Sequence, residues 1–104
     1  MNMSAIDVKY VSPQSLKARL DSGEEFQLFD IREEEELLEC DIDFEHVPMA
    51  DIVMDESRFH AGSDVVVACR TGRRALAVVM TLERKFSLEN LYVLEGGVVA
   101  WMES

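Results

Sequence analysis

The chain has 104 residues, 48% of them hydrophobic, and a formal net charge of -11. That length suits a single domain spanning 1–104, with a core large enough to fold without disulfide or metal staples. The acidic excess repels phosphate backbones and anionic lipid over most of the surface, so neither nucleic acid nor a membrane is expected as a partner.

Short apolar runs alternate with helical patterns, the sequence form of β-α units around a mostly parallel sheet. VKYV, at 8–11, reads as a first strand. Ser12 is placed to cap a helix over 13–22, with Pro13 in the first turn, where its missing N–H costs nothing, and Gly23 at the end. QLFDI, at 27–31, reads as a second strand, and EEEELLE, at 33–39, as a short acidic helix whose negative start suits the helix dipole. EHVPM, at 45–49, is a short strand that Pro48 confines to a sheet edge, and 51–59 supports one or two helical turns. DVVVA, at 64–68, is the pattern of a strand buried on both faces. The helix expected over 73–86 places Leu76, Val79, Met80 and Leu82 or Glu83 at helical spacing. NLYVL then gives a last strand and GGVVAWMES a closing helix. The acids crowded between Glu24 and Glu56 read as a solvated helix face.

Cys40 and Cys69 are too few for a disulfide framework, and with only His46 and His60 for company they offer no metal cluster. No metal or cofactor is expected. The start lacks an apolar targeting core and no run nears the ~18 apolar residues of a membrane span, so a cytoplasmic protein with reduced thiols is expected.

The most informative stretch is CRTGRR, which puts three of the chain's ten basic residues within five positions of Cys69. A loop between a parallel strand and the next helix lies on the ligand edge of the sheet. The helix start leaves backbone N–H groups unpaired, Gly72 permits a turn in which they point inward, and Arg70, Arg73 and Arg74 add charge that burial does not remove. Such surroundings favour a thiolate at Cys69 without a separate base.

These residues resemble the active-site loop of the rhodanese-like sulfurtransferases, C-R-x-G-x-R-[SA]. LFDIREEEE is similar to that family's L-[LI]-D-[VI]-R-x-x-x-E segment, giving Asp30, Arg32 and Glu36, and VLEGGVVAW to its closing L-x-G-G-[IV]-x-A-W, giving Gly96, Gly97 and Trp101. The family's G-H-I-P-G-A motif is absent, and ECDIDFEHVPMADI stands there, similar to the version found beside enzymes that activate ubiquitin-like sulfur carriers. A glycine expected near Phe44 is missing.

The resemblance implies an α/β three-layer sandwich around a five-stranded, mostly parallel sheet. It implies a sulfurtransferase in which Cys69 carries a persulfide cradled by Arg70, Thr71, Gly72, Arg73 and Arg74. Within that loop, Arg74 and the N–H groups would hold the sulfur, while Arg70 and Arg73 would steer an anionic donor or a carrier's terminal carboxylate. Asp30, Arg32, Gly96 and Gly97 would support the site, and Trp101 would belong to the core. The donor would be thiosulfate or a cysteine-desulfurase-type persulfide protein, and a ubiquitin-like sulfur carrier would be an acceptor. A silent rhodanese-fold interaction module and a cysteine-dependent phosphatase or arsenate reductase are the alternatives. The phosphatase loop is one residue longer, and Ala75 stands where its arginine would be. Cys40, among acidic neighbours, is expected to be an inert thiol rather than a second redox centre.

Overall fold

A computed structural model describes residues 8–60 and 62–104. Five strands form one sheet: β1 (Lys9–Val11), β2 (Phe26–Asp30), β3 (Glu45–His46), β4 (Asp64–Ala68) and β5 (Leu91–Leu94). Their order across it is β1-β5-β4-β2-β3, and every pairing is parallel. The helices are α1 (Pro13–Asp21), α2 (Met49–Ile52), α3 (Arg73–Phe86) and α4 (Gly97–Glu103), with an acidic 3-10 helix at Glu34–Leu38 and a 3-10 turn at Glu56–Arg58.

Local chemistry sets these boundaries. Ser12 Oγ accepts from the N–H of Ser15 at 3.0 Å, so α1 begins at Pro13 as its capping signal requires. The acidic segment tightens into a 3-10 helix, and the Glu36 carboxylate accepts from the Glu33 N–H at 2.9 Å to close its first turn. The expected strand over 45–49 shrinks to two residues. Pro48 has no N–H to offer a ladder and instead precedes the first turn of α2, while Val47 and Met49 donate to the Asp30 and Ile31 carbonyls.

Strand β4 lies at the centre, and its alternation divides the core between two faces. Val65 and Val67 pack with Phe29, Ile31, Leu91 and Val93 under α2 and α3, while Val66 and Ala68 pack with Val11, Leu16, Leu94 and Val98 under α1 and α4. Sheet and two helical layers make the three-layer sandwich. Of the residues expected at helical spacing in α3, Val79 and Leu82 are buried and Leu76 packs against the core. Ala75 and Val78 are buried as well, and Met80 lies at the margin. The Ala75 N–H points at Cys69, which fixes the rotation of the helix at its first turn.

The chain leaves β2 toward β3 at one edge and leaves β4 toward β5 on the other side. The carboxyl ends of β2 and β4 therefore flank a topological switch point, where open parallel sheets form their ligand crevice. Phe44, in place of the glycine expected nearby, is buried and packs edge-on against Trp101, ring centroids 5.3 Å apart. Trp101 is half-buried at the α1 and α4 side of the core, with Lys17 Nζ over its ring at 4.5 Å.

Candidate active site

Cys69 follows the last residue of β4, and its sulfur accepts from two backbone donors, the N–H groups of Gly72 at 3.1 Å and Ala75 at 3.3 Å. Both belong to the start of α3, where N–H groups lack helical partners. Gly72 reaches this turn at φ +105°, a conformation that a side chain would make costly. Two amides thus focus on one sulfur, with the positive end of a 14-residue helix behind them.

The loop is clamped from its other side by α4. Val98 and Val99 donate to the carbonyls of Cys69 and Arg70 at 2.9 and 3.1 Å. Gly97 makes this approach possible, because a Cβ there would collide with those same two carbonyl groups. Gly96 sits just before α4, also at positive φ.

The arginines are distributed unevenly. Arg74, expected on the sulfur, places its guanidinium on Glu36, with two hydrogen bonds of 2.8 Å to the two carboxylate oxygens. This fork holds the Glu36 carboxyl down at about 2 and raises Arg74 further above its ordinary value. Arg70 is exposed and pairs with Glu39 at 3.1 Å. Arg73 and Thr71 are exposed, and Arg73 makes no ion pair among the described residues. Glu39 carries no signal in the sequence beyond its place in an acidic run. Only the fold brings that run against the basic loop.

Asp30 and Arg32 stand beside this loop at the end of β2, where Asp30 is in register with Ala68. Both are 1% exposed and joined by hydrogen bonds of 2.8 to 3.1 Å, which raise the Arg32 guanidinium above its ordinary pKa. Arg32 also donates to the Glu36 and Cys40 carbonyls, so one buried cation ties β2 to the acidic 3-10 helix. Its own carbonyl lies 2.7 Å from His46 Nε2, which must donate, since a carbonyl only accepts. Cys40 is half-buried. Its sequence neighbours are acidic, but in space its sulfur faces Nη1 of Arg32 at 3.8 Å.

Cys69 itself is 1% exposed. Its sulfur faces the Gly72 and Ala75 amides rather than bulk water. Among the described residues no group of three His, Cys, Asp or Glu side chains could hold a metal ion, and no helix is long and apolar enough to cross a membrane.

The site thus joins a strand-end cysteine under two amides, an Asp-Arg pair and a Gly-Gly helix start at one edge of a five-stranded parallel sheet. The family model for the rhodanese-like domain matches residues 12–104, and the chain belongs to that family. It is 34% identical over 98 residues to a protein of Bacillus subtilis (strain 168) named "Putative sulfurtransferase YtwF", covering 92% of each chain. It is 22% identical over 94 residues to "Putative sulfur carrier protein YrkF" of the same organism, covering 89% of this chain and 51% of that one. Among solved structures, a rhodanese-like domain protein from Staphylococcus aureus superposes with a TM-score of 0.80 at 27% identity, covering 90% of this chain and 91% of that one.

Proposed function

We propose that this protein is a sulfurtransferase that moves sulfane sulfur through a persulfide on Cys69. The observation that carries the reading is the paired donation from Gly72 and Ala75 to the Cys69 sulfur at the start of α3. Membership of the rhodanese-like family and the name of the YtwF relative support it. In the first step the Cys69 thiolate attacks the outer sulfur of thiosulfate, or the outer sulfur of a protein persulfide. A sulfur–sulfur bond forms at Cys69 and another breaks, releasing sulfite or the donor's thiolate. In the second step a nucleophile such as cyanide or a thiolate attacks the outer sulfur of the Cys69 persulfide and leaves with it, and the Cys69 thiolate returns. No external oxidant or reductant is consumed.

The Gly72 and Ala75 amides point at Cys69 Sγ and stabilise negative charge there, on the atom that is nucleophile in the first step and leaving group in the second. Arg74, anchored on Glu36, contributes a fixed positive charge near the sulfur, and Arg73 is the loop cation free to meet a donor. Asp30, Arg32, Gly96 and Gly97 act as positioning residues that hold the strand end and the loop backbone. The name of YrkF supports a protein partner in sulfur transfer, with a cysteine-desulfurase-type donor and a ubiquitin-like carrier as the classes considered.

Intact mass spectrometry after incubation with thiosulfate tests the proposal. The wild type should gain one sulfur atom, lost again on adding cyanide, and Cys69→Ser should gain none. A second reading, a silent interaction module, is favoured by the 1% exposure of Cys69. It requires a folded protein that never acquires the extra sulfur. A persulfide on Cys40 would overturn the site assignment.

A further inference from the structure

Arg70 adjoins Cys69 in the chain, so its Cα stands about 3.8 Å from that of the cysteine. Its backbone is fixed, because Val98 and Val99 donate to the Cys69 and Arg70 carbonyls at 2.9 and 3.1 Å. The side chain is held by one partner. Its guanidinium pairs with Glu39 at 3.1 Å and makes no other hydrogen bond among the described residues. The two side chains are 53% and 57% exposed, so nothing in the fold confines the guanidinium once Glu39 lets go.

Glu39 also stands on a fixed frame. Its N–H donates to the Glu36 carbonyl at 3.1 Å, and the buried Arg32 donates to the Glu36 and Cys40 carbonyls that bracket it. The pair therefore spans two anchored stretches of backbone, which reduces the ordering cost that makes most exposed ion pairs worthless. Three residues earlier Glu36 commits Arg74 in the same manner. The acidic 3-10 helix thus takes two of the three loop cations out of play, and leaves Arg73. An anionic reactant loses a direct partner by this arrangement, whereas an uncharged reactant loses nothing.

We infer that Glu39 is a specificity-determining residue, which by pairing Arg70 disfavours small anionic sulfur donors relative to uncharged reactants at Cys69. The inference rests on the sulfurtransferase reading above and deepens it. Without Glu39, the Arg70 guanidinium meets the oxygens of a donor such as thiosulfate while the Cys69 thiolate attacks its outer sulfur. A sulfur–sulfur bond forms at Cys69, the bond to the inner sulfur breaks and sulfite leaves with that electron pair, so atoms and charge balance.

The test uses the full chain as wild type, Glu39→Ala, Arg70→Ala and the double variant Glu39→Ala/Arg70→Ala. Glu34→Ala is the control, since it removes one negative charge from an exposed position of the same helix that has no ion pair among the described residues. All three positions are exposed, where substitution leaves folding intact. The second-order rate of loading by thiosulfate is read from the mass of the Cys69 peptide. It is divided by the rate at which a neutral small-molecule disulfide modifies the same cysteine, which removes differences in thiolate content and access. In about 20 mM salt the normalised rate should be at least about threefold higher in Glu39→Ala than in Glu34→Ala, and the excess should shrink toward one in about 0.5 M salt. Loss of Arg70 should lower the rate at least about threefold more in the Glu39→Ala background than in wild type, because only there is the guanidinium free to meet the donor. A smaller gain over Glu34→Ala, or one that persists in high salt, overturns the inference. Equal effects of Arg70→Ala in the two backgrounds overturn it too, since they are the mark of a general field without a contact. In each of these cases the loading of Cys69 still stands. Absence of loading in all five proteins, with the disulfide still modifying Cys69, overturns the sulfurtransferase reading and the inference with it.

Discussion

Glu36 is the residue on which the acidic helix and the basic loop meet. Its carboxylate accepts the two Arg74 donors and the Glu33 N–H, and it is 22% exposed, so water screens the pair only in part. Replacing it by Gln should cost about 1 kcal/mol at neutral pH, or about 4–8 °C in melting temperature for a domain of this size. The sign of the pH effect follows from the direction of the shift. The folded carboxyl sits at about 2 against an ordinary 4.5, so its contribution is complete above 4.5 and disappears as pH falls through 2. Thermal melts of wild type and Glu36→Gln should therefore differ at neutral pH and converge between 4.5 and 2. A difference that persists below that window would mean that the ion pair is not its source.

At the scale of elements, Arg32, itself 1% exposed, joins the end of β2 to the acidic 3-10 helix through its bonds to Asp30, Glu36 and Cys40. Arg32→Met leaves the Asp30 carboxylate buried and alone, which should destabilise the protein by about 3–5 kcal/mol in urea unfolding. Arg32→Met/Asp30→Leu should recover most of that loss, because no uncompensated charge remains. A double variant no more stable than the single would show that the hydrogen bonds to Glu36 and Cys40, rather than the charge, carry the effect.

Much of this arrangement is legible in the sequence. An unbroken apolar run can only be a central strand, a Ser-Pro pair opens a helix, and a Gly-Gly pair before Val98 marks where backbone must come close. The pairing of Arg70 with Glu39 is not legible, since an acidic run on one element and a basic loop on another meet only through the sheet order. The spacing in α3 found Val79 and Leu82 but not the buried Ala75 and Val78. Spacing alone cannot show that one amide of its first turn is committed to a sulfur.

Over the whole molecule the loop arginines and the net charge of -11 oppose one another, and their magnitudes decide which wins. Two of the three guanidinium groups are paired with carboxylates, so at the range where diffusion is steered the protein is an anion. A small anion such as the proposed donor thiosulfate would meet that repulsion before it reached Arg73. The rate of Cys69 loading by thiosulfate should therefore rise with ionic strength, at least about threefold between about 20 mM and 0.5 M salt, as screening weakens the repulsion. Stopped-flow or quenched mass measurements check this. A rate that falls with salt would restore the loop arginines as a steering device.

The burial of Cys69 has one more consequence. A bare, ionised sulfur is the first target of peroxide, and beyond the sulfenic stage the damage is irreversible for most proteins. If Cys69 is the nucleophile proposed above, its 1% exposure also limits the access of such oxidants, and low exposure then lengthens its working life.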